Sequence, residues 1–371
     1  MAGAPDDEPF MAEAIRLSLT NLGRTSTNPS VGCLIVRDGT IVGRAVTAEG
    51  GRPHAEPQAL ADAGEKAKGA TAYVTLEPCS HHGKTPPCAD ALIAAGVARV
   101  VVSVTDPDER VSGRGLKMLE DAGIEVTTGV LEREGRRALA GYLTRQTKAR
   151  PYVILKLAIS DDGMIGRRGD GQVAITGPQA RRQVQQLRAV TDAILVGIGT
   201  ALADDPLLTV RLEGQEQFSP IRIVLDRHLQ LPLSSKLVES ARDVPLIVVA
   251  GLAGGETAVA ELSADLEERK AALQARGAEV LEANDLSALL FALASRGISS
   301  LLVEGGARVA AAFLADDLVD EMQLYRGSIV IGEGGIPSPV TADTVPAGFV
   351  PLRSEAVGAD RLDVFERDRV E

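Results

Sequence analysis

Hydrophobic positions in the first 150 residues alternate between helical and strand spacing. Met11, Ile15, Leu19 and Leu22 recur every three or four residues, the stripe of an amphipathic helix over 9–22. Two β-rich runs follow at 31–36 and 41–46, and the Asp38-Gly39 pair between them is a two-residue hairpin turn. The pattern continues with a helix over 55–67, a strand at 72–76, a helix at 89–95, a strand at 99–104, a helix over 115–122, a strand at 125–127 and a helix over 131–143. Strands alternating with helices predict a layered α/β domain. Residues 144–150 are polar and basic, and Pro151 cannot continue a helix, so the boundary is expected there, dividing the chain into 1–147 and 150–371.

The second half restarts with short apolar runs at 152–157, 193–196, 221–225, 246–250 and 301–303, separated by helical patterns at 179–190, 257–274 and 286–294. These predict a second α/β domain. No internal repeat relates the halves.

Composition narrows the partners. The 371 residues are 45% hydrophobic but include no tryptophan and only 3% aromatics, so the core must be Ala, Val, Leu and Ile, and rings for stacking single-stranded bases are scarce. The net charge of −12 opposes non-specific nucleic-acid binding. It is uneven: residues 1–150 hold 18 basic and 19 acidic side chains, against 21 and 32 in 151–371. No apolar run is long enough to span a membrane, and the acidic start lacks the order of a signal peptide, so the protein is expected in the cytoplasm with no membrane partner. Three cysteines are an odd count and too few for a disulfide framework, which points to metal, catalysis or core packing.

The clearest chemistry is His54-Ala55-Glu56 followed by Pro78-Cys79 and Cys88. One His and two Cys suit Zn²⁺ and leave a fourth tetrahedral position for water, the arrangement of a catalytic site. Zinc lowers the pKa of that water, and Glu56, two residues from the His, can carry protons without being a ligand. Nucleobase deaminases use His-x-Glu with Pro-Cys-x-x-Cys, but here eight residues separate the cysteines. The inserted loop brings the imidazoles of His81 and His82 and the ammonium of Lys84, groups that an anionic small-molecule substrate would require. A closed zinc knuckle, or two core thiols beside an incidental His, is the plainer alternative; Cys33 lies in an apolar strand pattern and reads as a core thiol.

Asn28-Pro29-Ser30-Val31-Gly32-Cys33, His54-Ala55-Glu56, Thr75-Leu76-Glu77-Pro78-Cys79, Gly83-Lys84-Thr85-Pro86-Pro87-Cys88 and Asp106-Pro107 with Val111-Ser112-Gly113-Arg114-Gly115 together resemble the deaminase half of the bifunctional riboflavin-biosynthesis deaminase-reductases. The resemblance implies a cytidine-deaminase-like three-layer α/β domain, with Asn28, His81, Lys84 and Asp106 binding the pyrimidine and its ribosyl phosphate. Thr47 departs from the pattern, standing where many relatives have a His seven residues before the zinc His.

In the second half Val303-Glu304-Gly305-Gly306-Ala307-Arg308 follows a buried strand and opens a helix, placing backbone N–H groups where a dinucleotide phosphate could bind. A Gly-Gly turn is also structurally ordinary. The stretch Gly332-Glu333-Gly334-Gly335 reads as a connecting loop, and His228 as a surface residue. Lys156-Leu157-Ala158, Ser160-Asp161-Asp162-Gly163, Ile175-Thr176-Gly177, Leu187-Arg188-Ala189 and 204–211 resemble the reductase half of the same family. The resemblance implies a dihydrofolate-reductase-like α/β domain with NADPH contacts at Ala158, Thr200, Asp204, Gly306, Ala307 and Arg308. It implies substrate contacts at Gln172, Arg188, Leu208, Arg211 and Glu304, with Arg188 and Arg211 suited to clamp a phosphate. Lys156 and Glu304 are the candidates for orienting or protonating the reduced substrate. Ala174, where relatives often have Trp, and Arg227, where a Ser is common, depart from the family in the cofactor region.

The expected activity is therefore a zinc-dependent pyrimidine deamination followed by an NADPH-dependent reduction of the ribosyl chain, on a small phosphorylated pyrimidine, by a homo-oligomer. A deaminase acting on tRNA or single-stranded DNA would show a short Cys-x-x-Cys and a basic surface. A zinc-stabilised interaction module would need no Glu56. A deaminase with a degenerate, structural second domain is the third alternative.

Overall fold

The run Gly32–Arg37 is buried at every position but its last, as a strand covered on both faces must be. It is the first strand of a computed structural model that describes residues 6–81, 86–108, 112–251 and 264–368. Two units divide the chain, Met1–Lys148 and Ala149–Glu371.

In the first unit, helix α1 (Glu8–Ser18) leads to strands β1 (Gly32–Arg37) and β2 (Thr40–Val46), then α2 (Ala55–Ala63), β3 (Thr71–Leu76), α3 (Cys88–Ala95), β4 (Arg99–Val104), α4 (Arg114–Asp121), β5 (Glu125–Thr128), α5 (Glu132–Ala138) and α6 (Ala140–Lys148). Asp38 and Gly39 both take positive φ, the backbone that a two-residue hairpin needs. The sheet order is β2-β1-β3-β4-β5, with β1 antiparallel to both neighbours and β3, β4 and β5 parallel. Alternate residues of β1 point to opposite cores. Cys33 and Ile35 pack with α2, α3 and α4, while Leu34 and Val36 pack with α1 and Ala138 of α5, so helices cover both faces in three layers. The helix expected over 131–143 is two helices, broken at the buried Leu139. The second of them continues through 144–148, where a polar linker was expected, and stops at Ala149, whose φ is positive. Thr144 is buried, so this stretch packs despite its polarity.

The second unit comprises β6 (Tyr152–Ile159), β7 (Met164–Arg167), α7 (Pro178–Ala189), β8 (Ala193–Gly197), α8 (Ile198–Asp204), β9 (Ile221–Leu225), α9 (Lys236–Glu239), β10 (Leu246–Ala250), α10 (Ala264–Ala275), β11 (Glu279–Glu282), α11 (Leu286–Ser295), β12 (Ser300–Val303), α12 (Ala307–Ala315), β13 (Glu321–Arg326), β14 (Gly335–Pro337), β15 (Phe349–Val357) and β16 (Asp360–Arg367). Nine strands form one sheet in the order β11-β10-β9-β8-β12-β6-β13-β16-β15, and β14 pairs with β7 separately. The first seven are parallel; β16 and β15 close the sheet antiparallel. Part of the Gly332–Gly335 stretch is thus strand, since Gly335 opens β14. Of the helix expected over 257–274, residues 257–263 lie outside the described residues.

Chain order runs outward from β8 to β11, and β12 then returns between β8 and β6. Strand order reverses there, and in open α/β sheets the crevice beyond the carboxyl ends at such a point is where ligands bind.

Candidate active sites

In the first unit, His54 caps α2, Cys88 opens α3, and Cys79 lies in the loop after β3. Helix amino ends favour thiolates and other metal-ligating anions. His54 Nδ1 stands 3.3 Å from Cys88 Sγ and 3.7 Å from Cys79 Sγ, and the three ligand atoms lie within 4.8 Å of one another. Two ligands at about 2.05 and 2.3 Å from one tetrahedral zinc are about 3.6 Å apart, so the triangle fits a shared ion with one position open. Hydrogen bonding from Cys88, helped by His54, holds the Cys79 thiol down at about 4 despite its burial. Glu56 is buried at the start of α2, and burial, reinforced by the Cys79 charge, pushes its carboxyl above the usual range. Cys33 is fully buried in the sheet, and burial pushes its thiol up, as befits a core residue.

Because β3 and β4 are parallel, the zinc loop and Asp106 emerge at the same carboxyl edge of the sheet. Asp106 is buried; its oxygens accept from Tyr142 Oη at 3.0 and 3.1 Å, and Oδ1 also accepts the Asp108 N–H at 2.9 Å. Burial pushes this carboxyl up. Asn28 Nδ2 donates to the Gly51 carbonyl at 3.0 Å, tying it to the turn before His54, and Gln58 Nε2 donates to the carbonyls of Val46, Pro53 and His54. His81 is exposed; Lys84 and His82 lie outside the described residues. Thr47 is buried and its hydroxyl accepts the Val31 N–H at 3.0 Å, so it serves the fold where relatives place an imidazole.

In the second unit the crevice gathers Lys156 and Ala158 from one face of β6, the turn after β12 and the start of α8. Glu304 donates its N–H to the Leu195 carbonyl at 3.0 Å, which fixes the β12 turn against β8. A Cβ on Gly306, the cap of α12, would come within 3.2 Å of Thr200 Oγ1, so the two turns meet where the family resemblance puts NADPH, with Ala307 and the exposed Arg308 on the helix that follows. The close turns and the amino end of α12 fit a phosphate-bearing cofactor. Asp204 ends α8, and burial pushes its carboxyl up.

Arg188, expected to clamp phosphate, grips Glu304 instead. Its Nε and Nη2 donate to the two Glu304 oxygens at 2.8 and 2.9 Å, and Nη1 donates to the Thr209 carbonyl at 3.3 Å. Burial pushes Glu304 up, but the charges of Arg188 and Lys156 outweigh it and leave the carboxyl below its usual range. Burial pushes Lys156 below the usual lysine range, opposed by Glu304 and aided by Arg188; its ammonium also lies 5.8 Å from the centre of the Tyr325 ring.

Arg211 makes no such grip, although its charge also lowers Glu304. It lines an open cleft of about 620 Å³ with Arg181, Arg182 and Gln185, and these three arginines form no ion pair among the described residues. Residues 181, 185 and 188 share one face of α7, and Gln185 accepts the Arg211 N–H at 2.8 Å, so a stripe leads along the helix from Arg188 to the cleft. Sequence patterning does not single out Arg181 or Arg182. Leu208 is buried at positive φ, a strained backbone held in part by the fully buried Arg222, which donates to the Leu207 carbonyl at 3.3 Å. Gln172, Ala174 and Arg227 are exposed.

The family model described as the RibD C-terminal domain matches residues 151–362, and that of the cytidine and deoxycytidylate deaminase zinc-binding region matches 4–104. The riboflavin biosynthesis protein RibD of Escherichia coli K12 is 44% identical over 338 residues, covering 88% of this chain and 89% of that protein. RibD of Aquifex aeolicus is 39% identical, covering 88% of each. Among solved structures, Acinetobacter baumannii RibD aligns at a TM-score of 0.84 with 36% identity, covering 98% of this chain and 99% of that one. A diaminohydroxyphosphoribosylaminopyrimidine deaminase/5-amino-6-(5-phosphoribosylamino)uracil reductase from Thermotoga maritima aligns at 0.82 with 34% identity, covering 97% and 98%. A family model that matches 151–362 and similarity over nearly the whole chain do not favour a degenerate second domain. The shared motifs, both family models and near full-length similarity place this chain in the RibD family of bifunctional riboflavin-biosynthesis deaminase-reductases.

Proposed function

We propose that residues 1–147 deaminate 2,5-diamino-6-(5-phosphoribosylamino)pyrimidin-4(3H)-one and that residues 150–371 reduce the ribosyl chain of the product with NADPH. The observation that carries this reading is the His54–Cys79–Cys88 triangle beside a buried Glu56. Held by those three ligands, zinc supplies the Lewis acidity that makes water nucleophilic near neutral pH. Glu56 takes the two protons of the attacking water in turn, giving one to the adjacent ring nitrogen and the other to the departing amine, so that ammonia leaves and a carbonyl oxygen replaces it on the ring. Burial raises the Glu56 carboxyl above the usual carboxylate range, which favours its taking up a proton before passing it on. Asn28, His81, Lys84 and Asp106 hold the pyrimidine and its ribosyl phosphate.

In the second reaction NADPH supplies hydride to the ribosyl C1′ of the ring-opened imine. Lys156, its pKa lowered by burial, gives a proton to the imine nitrogen, and Glu304, kept charged by Arg188, holds the ammonium in place. Arg211 takes the phosphate, with Arg181 and Arg182 on the same cleft, while Leu208 and Gln172 border the substrate. Arg188 acts through Glu304. Ala158, Thr200, Asp204, Gly306, Ala307 and Arg308 bind the cofactor. The same reading makes the protein a cytoplasmic homo-oligomer that does not bind nucleic acid; among the described residues no helix is long and apolar enough to cross a membrane.

The test supplies the diamino substrate and the deaminated intermediate separately, with and without a zinc chelator. Ammonia release is expected only from the zinc-loaded protein. NADPH consumption on the supplied intermediate is expected in both conditions, and its absence would return the second unit to a structural role.

A further inference from the structure

Glu77 is neither a zinc ligand nor part of any ion pair among the described residues, yet its side chain is almost wholly buried, with the residue 3% exposed. Its carboxylate accepts three backbone N–H groups from one distant segment. Gly115 donates to Oε1 at 3.1 Å, and Gly113 and Asp106 donate to Oε2 at 3.0 and 3.3 Å. The Glu77 N–H donates in turn to the Val104 carbonyl at 2.9 Å.

A buried carboxylate without a cation is costly unless hydrogen bonds replace its hydration, and charge-assisted bonds from backbone N–H groups are the strong kind. Two of these donors belong to the start of α4, whose cap residue is Gly113, with no side-chain oxygen to offer its own helix. Glu77 therefore caps α4 from the loop after β3. The approach is close: a Cβ on Gly115 would fall 2.1 Å from the Pro78 carbonyl oxygen, directly before the ligand Cys79. One side chain thus joins the loop that carries the ligand Cys79 to Asp106 and to the start of α4.

We propose that Glu77 is a positioning residue for deamination. It sets the distance between Cys79 and Asp106, so that a pyrimidine held by Asp106 presents its amine-bearing carbon to Glu56 and the metal. The inference rests on the deaminase reading of this unit.

Glu77→Gln and Glu77→Asp are made in the full-length zinc-loaded enzyme. The amide of Gln turns one acceptor into a donor that faces N–H groups, whereas Asp keeps the charge on a shorter arm. Zinc content, melting temperature, deaminase KM and kcat, and NADPH consumption on the deaminated intermediate are measured together. The expected result is a rise in deaminase KM of about tenfold or more for Gln and a smaller rise for Asp, each with a fall in kcat, at full zinc and unchanged reduction. If Gln does not fold, the graded KM rise in Asp stands as the test. An unchanged KM in a zinc-replete, folded variant would overturn the inference, as would activity that only tracks zinc loss. Absence of ammonia release by the wild type would overturn the deaminase reading itself.

Discussion

Replacing Arg188 with methionine keeps most of the side-chain volume and removes the guanidinium that grips Glu304 through two bonds of 2.8 and 2.9 Å. Breaking a buried ion pair by deleting one partner costs about 3–5 kcal/mol, because the other charge is left uncompensated. Both side chains keep 11% exposure and Lys156 remains near Glu304, so we take a cost of about 2–3 kcal/mol here. For a unit of this size that lowers the melting temperature by about 4–12 °C. The pH signature is more specific. Glu304 titrates below its usual range in the folded protein, so the stability it contributes is full above the unfolded carboxyl pKa and lost as pH falls through the lower, folded one. Removing Arg188 therefore destabilises most at neutral pH, and the gap narrows in acid. Arg188 also depresses Lys156, so both the acid and the alkaline limb of the reductase pH profile should move to higher pH in the variant. Differential scanning calorimetry from pH 3 to 8, with reductase pH profiles on the supplied intermediate, reads both effects. A variant whose limbs and melting temperature are unmoved, and whose KM alone rises, would show Arg188 to be a free phosphate clamp and refute the reasoning.

Arg211→Ala should raise the reductase KM for the phosphorylated intermediate about tenfold or more while leaving NADPH affinity within about twofold, and Arg181→Ala should act in the same direction with a smaller effect. Fluorescence titration with NADPH and steady-state kinetics separate the two ligands. Tyr142→Phe removes the hydroxyl that both Asp106 oxygens share and should raise the Asp106 pKa further above the usual carboxylate range. The acid limb of deaminase kcat/KM should then move to higher pH, with about 1 kcal/mol lost in stability; an unmoved limb would separate Asp106 from substrate binding.

What could be read from the sequence was local. His54, Cys79, Cys88 and Glu56 are brought together by one helix start, one strand end and a second helix start, and the spacing of residue types along the chain already encodes that arrangement. The strands predicted at 193–196 and 246–250 are buried at every position, so their apolar runs are unbroken, and 221–225 is apolar except for the buried Arg222. Strand β15 and its neighbour β16 mix charged with apolar residues and form the antiparallel margin of the sheet, and this mixture hides them from a search for apolar runs. The decisive polar contacts were hidden for another reason. Arg188 meets Glu304 across 116 positions, Tyr142 meets Asp106 across 36, and Glu77 reaches Gly115 across 38. Those pairings exist only once the parallel strands have set their carboxyl ends side by side. The same holds for Thr47, which departs from the family pattern and whose hydroxyl accepts the Val31 N–H across 16 positions.

The most direct test of two separate chemistries on one chain is Glu56→Gln, assayed for ammonia release from the diamino substrate and for NADPH consumption on the deaminated intermediate. Gln has nearly the same shape but cannot exchange the proton, so ammonia release should fall by about 10²-fold or more with zinc content unchanged. Reduction of the supplied intermediate should remain at the wild-type rate. Deamination at the wild-type rate by the zinc-replete variant would contradict the account.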